Sequence, residues 1–145
     1  MLLFTLEETH VKNFMRRLLR EPLFDSFQLR AAEIIALARV SVYGENENTF
    51  STWEQMKPIV TAIIKNGPKP RYIKIVFSAG AETLAAHENA QAFFINMVYE
   101  NNQITFTTAC AQKQFSMDKT LDSQWDAYVF QFFKNNNLPV KREDK

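Results

Sequence analysis

One cysteine, two histidines and three glycines are a thin supply for site chemistry in a chain of 145 residues. A lone Cys110 makes no internal disulfide, which excludes a disulfide-stapled scaffold and fits a reducing compartment, the cytoplasm. His10 and His87 stand far apart, without the H-x-x-x-H or C-x-x-C spacing of a metal site, so neither a metal nor another cofactor is expected. Three glycines leave no material for a glycine-rich phosphate loop. Charge of one sign is also missing. At a net +1, no global field favours nucleic acid or an anionic membrane, and any such preference must come from a local patch. No apolar run approaches the roughly 18 residues of a membrane span. The start, Met1 to Leu6 followed by Glu7 and Glu8, lacks the basic flank and long apolar stretch of a secretory signal. No membrane partner is expected.

What is present is a good supply of aromatic residues, led by thirteen Phe. The length suits one sizeable core, so residues 1–139 read as a single domain and 140–145 as a charged tail expected to fray. The clearest stretch is Phe93 to Lys134. Phe93, Ile95, Met97 and Tyr99 alternate with Phe94, Asn96 and Val98, and the beat resumes at Ile104, Phe106 and Cys110. A period of two on either side of Asn101-Asn102 is a hairpin signature. Phe115 and Met117 continue the beat as a third short strand. Leu121 to Lys134 then reads as a helix with Leu121, Trp125, Tyr128, Val129 and Phe132 on its apolar side.

Upstream, Leu2 to Leu6 reads as a strand. Thr9 is a candidate N-cap for a helix carrying Val11, Phe14, Met15, Leu18 and Leu19, ended by Glu21-Pro22. Phe27 to Tyr43 reads as one long strand or two joined by a bend, with a helix over its first half as the alternative. Gly44 to Asn48 is a loop. Ser51 and Glu54 form a capping-box pattern that opens a second helix with Trp53, Met56, Val60, Ile63 and Ile64 as its stripe. Pro58 predicts a kink or an irregular first turn there. Asn66-Gly67-Pro68 stops the helix, Tyr72 to Ser78 is a strand, and Gly80 to Ala92 is a short helix or a loop. The fold class is therefore α+β: a mainly antiparallel sheet with two or three helices on one face, and Trp53 and Trp125 in or near the core.

Few residues invite chemistry. Cys110 continues the Ile104, Phe106 face and reads as a buried structural cysteine. Asp118 and Asp122 flank the start of the last helix, where acids complement free N–H groups. Glu33 and Arg39 interrupt an apolar strand region and are expected to face solvent or pair across strands. The sharpest surface feature is a basic line on the first helix, Lys12, Arg16 and Arg20 with Arg17 beside them. A weaker analogue is Lys57, Thr61 and Lys65 on the second. Such rows can follow a phosphate backbone without reading bases, and equally can be a solvated helix face.

Trp53, Lys57-Pro58-Ile59, Tyr72 to Phe77, Tyr99-Glu100-Asn101 and Phe115 to Leu121 up to Trp125-Asp126 resemble a bacterial domain-of-unknown-function family of similar length. That resemblance implies no activity and no site residue. The element order, with basic residues on its helices, is also similar in topology to one domain of the sliding DNA clamps, which implies assembly into a ring around DNA. The expectation is a non-enzymatic cytoplasmic binding or assembly protein with no catalytic residues, its partner another copy of itself. The alternatives are a sequence-independent, clamp-like DNA-binding protein using Lys12, Arg16, Arg17 and Arg20, and a small-molecule enzyme with a helix–sheet pocket.

Overall fold

A computed structural model describes residues 1–143. The chain opens with strand β1 (Leu3–Leu6) and helix α1 (Glu8–Arg20). Strands β2 (Gln28–Ile35) and β3 (Arg39–Tyr43) follow, then a two-stranded ribbon, β4 (Glu45–Asn46) with β5 (Thr49–Phe50). Helix α2 (Trp53–Lys65), strand β6 (Tyr72–Ser78) and the short helix α3 (Ala81–Ala85) lead to the long hairpin β7 (Ala90–Glu100) and β8 (Gln103–Gln112). Helix α4 (Thr120–Asn135) and β9 (Lys141–Arg142) complete it. Seven strands form one antiparallel sheet in the order β3-β2-β6-β7-β8-β1-β9.

Register makes one face of this sheet apolar. Ile34, Ile73, Tyr99, Ile104 and Leu6 align across five strands, as do Ala32, Ile75, Met97, Phe106 and Phe4. All are buried, and the helices cover them. Phe14 of α1 meets Phe106 edge-on, and Phe133 of α4 does the same to Phe4. Phe24, from the α1–β2 connection, stacks on Phe77. Trp53 and Trp125 are both core residues, and each indole N–H donates to a backbone carbonyl, of Leu18 at 3.2 Å and of Phe94 at 2.9 Å. That satisfies the one polar atom each would otherwise bury unpaired. The other face, with Val76, Phe94, Asn96, Val98, Thr105 and Thr107, is half-buried by its own side chains.

The stretch 27–43 forms two strands joined by a bend and no helix: β2 and β3 fold back on each other, with Ile34 opposite Val40. Asn101 and Asn102 have φ of 55° and 60°, the left-handed pair that a two-residue hairpin turn demands. Residues 80–92 hold the short helix as one of the two forms expected, but the last three, Ala90 to Ala92, are the start of β7, where a helix or a loop was expected.

Several boundaries differ from expectation. Helix α1 begins at Glu8, with Glu7 in the cap position and Thr9 already inside the first turn. The capping box lies one residue on: Gln55 N–H donates to Thr52 Oγ1, and Thr52 N–H to Gln55 Oε1. Ser51 is unavailable because its own backbone bonds Gly44 and Leu29. Helix α2 runs on through Pro58, one main-chain donor short. Glu45 to Phe50 is a small ribbon, turned at Glu47 with φ of 59°.

The third strand expected at Phe115 and Met117 does not form. Asn89 instead clamps the backbone of Gln114 from both sides, Gln112 Oε1 takes Ser116 N–H, and Ser116 Oγ takes Asp118 N–H. Side chains thus occupy the groups a ladder would need, and Phe115 and Met117 stand exposed. On α4, Tyr128 is half-exposed against Trp125, and Phe133 joins Trp125 and Val129 in the buried stripe. Lys141 and Arg142 pair with β1, so the sheet extends into the stretch expected to fray, while Asp144 and Lys145 lie outside the described residues.

Candidate anion-binding groove between the first two helices

Helix α1 lies across the sheet with one side on the core and the other open beside the C-terminal end of α2. Residues four apart on a helix share a face, each step rising about 6 Å, so Lys12, Arg16 and Arg20 form a row. That row lines a groove of about 1020 Å³. The opposite wall carries Lys65, from the last turn of α2, and Lys69, from the connection to β6. Val11, Met15, Leu19, Ile64, Pro70 and Ile73 give it an apolar floor, and Tyr99, whose hydroxyl donates to Asn102 Oδ1 at 3.3 Å, closes one end.

Five cations face Glu8, the one acid in the lining. Arg16 is held at the rim by Glu21 and Asn13, each at 2.8 Å. Lys12, Arg20, Lys65 and Lys69 have no carboxylate at ion-pair distance among the described residues. Like charges lining one groove have an unfavourable mutual energy that an anion relieves.

The four cations read from the sequence therefore divide. Lys12, Arg16 and Arg20 share the groove; Arg17 turns away, is mostly buried and bonds Glu21 from the other side at 3.4 Å. Glu21 is consequently held below the usual carboxylate range, chiefly by its hydrogen bond to Arg16, with burial opposing and Arg17 adding. The analogue on α2 also divides. Lys57 is mostly buried and pairs with Asp25 at 2.7 Å while donating to the Glu21 carbonyl, which ties α2 to the end of α1. Thr61 Oγ1 is buried without a partner among the described residues. Only Lys65 reaches the groove. Lys69, bracketed by Pro68 and Pro70, was missed, because it follows the helix and joins the row only through the packing of α1 beside α2.

The remaining candidates make structural contacts. Cys110 lies on the core face as expected but is half-buried rather than buried, and its thiol is pushed up by burial and then by Asp122 and Asp126, the reverse of an activated nucleophile. Glu33 and Arg39 pair at 3.7 Å across the β2–β3 hairpin. Asp118 accepts both N–H and O–H of Thr120, and those bonds hold its carboxyl below the ordinary value. No group of three acidic, Cys or His side chains is placed to hold a metal ion among the described residues. Likewise no helix there is long and apolar enough to cross a membrane.

Fold and groove together define a two-layer α+β protein with a basic, apolar-floored cleft. Its sequence matches the model of the family of unknown function DUF5721 over residues 17–141, and the chain belongs to that family. No curated protein and no solved structure matches it.

Proposed function

We propose that this is a non-enzymatic binding protein whose working surface is the α1–α2 groove, and that its partner is anionic and carries apolar groups. The convergence of Lys12, Arg16, Arg20, Lys65 and Lys69 over an apolar floor carries this reading. A cationic rim selects charge, while Met15, Leu19 and Ile64 offer the apolar contact that gives most of the affinity in a concave site. An acidic amphipathic segment uses both; a DNA backbone uses the rim and leaves the floor idle. The half-buried single thiol fits a reducing cytoplasm, which belongs to the same proposal.

Fluorescence anisotropy with a labelled acidic amphipathic peptide and a labelled DNA duplex, each titrated against salt, tests it. Lys12→Glu with Arg20→Glu should abolish peptide binding, and Ile64→Ser should weaken it with the salt dependence kept. Duplex binding that falls with a log–log salt slope of roughly −3 to −4, unaffected by Ile64→Ser, would move the DNA reading to the front. Binding of neither probe at low salt, or equal binding by the charge-reversed protein, sinks the groove.

A second reading, self-assembly, rests on the sheet edges. Strand β9 is two charged residues long, whereas β3 runs Arg39-Val40-Ser41-Val42-Tyr43 with its outer side unpaired and Val40 and Tyr43 exposed. Such an edge is a template for an antiparallel copy of itself. Light scattering should give a dimer that Val40→Lys with Tyr43→Lys converts to monomer; a wild-type monomer ends this reading. A clamp-like ring would need both the edge and the basic groove.

A further inference from the structure

We infer that Arg30 anchors a second binding site, on the sheet face the helices leave uncovered, that takes a bidentate oxyanion: a phosphoryl group or a carboxylate. This goes beyond the groove, which lies on the opposite face. Arg30 is the extra residue of a bulge in β2, where the register with β6 shifts between Leu29 and Ala31. Its guanidinium carbon sits 3.9 Å from the ring centre of Phe50 and 5.3 Å from that of Phe94. Nε donates to Ser78 Oγ at 3.0 Å, and the buried Ser78 hydroxyl donates onward to Gln28. Ring faces and the Ser78 bond fix the plane of the guanidinium, and that pre-organisation is what a fork binding an oxyanion needs.

The outer half of the fork has no partner among the described residues. Among the described residues, Nη1 and Nη2 donate to no acceptor and no carboxylate lies at ion-pair distance. Glu45, on the ribbon that carries Phe50, is near enough to favour the charged guanidinium without touching it, against the burial that disfavours it. A half-buried arginine paired with rings and a hydroxyl rather than an acid keeps its strongest interaction, the charge-assisted double hydrogen bond, for a ligand. The ribbon itself is pinned: Gly44 N–H bonds the Arg30 carbonyl, and a side chain at Gly44 would meet the Leu29 carbonyl oxygen at 1.9 Å.

The test is a nitrogen–proton correlation NMR titration of the whole chain with inorganic phosphate and, separately, succinate, at ionic strength held constant with chloride. A saturable shift of the Arg30 Nε–Hε signal and of the Glu45 and Phe50 amides is expected. Saturation by phosphate alone assigns a phosphoryl ligand, by succinate alone a carboxylate, and by both an unselective oxyanion site. Arg30→Lys, which keeps the charge and loses the fork, should weaken binding by about tenfold or more, followed at the same amides. Glu45→Gln should tighten it, and Lys12→Glu should leave it unchanged. No saturable shift with either anion overturns the site, as does unaltered affinity in Arg30→Lys. Should Arg30→Lys fail to fold, unaltered affinity in Glu45→Gln overturns it instead.

Discussion

The two faces of β7 differ by one position in register and by most of what stabilises the fold. Phe93, Ile95, Met97 and Tyr99 are buried under the helices, while Phe94, Asn96 and Val98, from the same strand, are covered only by their neighbours. Strand propensity is similar on both sides, with a Phe on each and the β-branched Val98 on the open one. What separates them is the second layer: rings from α1 and α4 reach the covered face, and helices pack nothing onto the other. The difference teaches that one face holds the protein together and the other is free for chemistry, which is why Arg30 can stay half-buried without an acid. The same logic holds on α1, where Phe14 and Leu18 belong to the core and Lys12, Arg16 and Arg20 to the groove.

Cavities on the covered face should produce the largest effect. Phe106 is fully buried between Phe14 and Phe133, so Phe106→Ala should destabilise by about 3–5 kcal/mol in urea unfolding. Val98→Ala, one strand away on the open face, should cost about 1 kcal/mol or less. Equal losses would break the comparison. Next comes Gly44→Ala, where the close Leu29 carbonyl forces the ribbon off the sheet, at about 1–3 kcal/mol. Because Phe50 moves with the ribbon, any oxyanion binding at Arg30 should weaken in parallel; a protein that lost stability but kept it would separate the two.

A smaller effect belongs to the turn shared by both faces. Asn101→Val places a β-branched residue at φ of 55° and should cost about 1–2 kcal/mol, whereas Asn102→Gly should be near neutral. The smallest lies off the sheet, at Glu21. Its carboxyl is held below the ordinary 4.5, so the folded state binds its proton less readily than the unfolded chain. Its contribution is present above about pH 4.5 and fades as pH falls through the lower folded value. The urea midpoint of Glu21→Gln should therefore trail wild type at neutral pH and converge with it in acid; a constant gap would assign the effect to packing.

Much of this was legible in the residues. Alternation gave β6, β7 and β8, and Asn101-Asn102 gave the turn between them, since strand period and left-handed φ are local properties. The stripe of Phe14 and Leu18 gave α1. Phe115 and Met117 show where local pattern misleads: they keep the beat of a strand, but Asn89, distant in sequence, holds the backbone at Gln114 in a loop. Thr52 displaced Ser51 as cap for a similar reason, since backbone pairing with Gly44 and Leu29 had already taken Ser51. Of the five groove cations, three were readable as one row, Lys65 only as part of a separate row, and Lys69 not at all. Spacing gave Lys12, Arg16 and Arg20, but only contact with Glu21 removes Arg17, and only α1 lying beside α2 adds Lys65 and Lys69.

By itself, then, the sequence determined the α+β class, most elements and the apolar set that had to be buried, because those follow from side-chain period and turn chemistry over a few residues. Only the tertiary structure decided which charges stand alone. Whether Lys57 finds Asp25, or Arg30 has no acid at ion-pair distance among the described residues, depends on distances between residues far apart in the chain. Coulomb and hydrogen-bond energies fall off over a few ångströms, a scale that sequence separation does not encode.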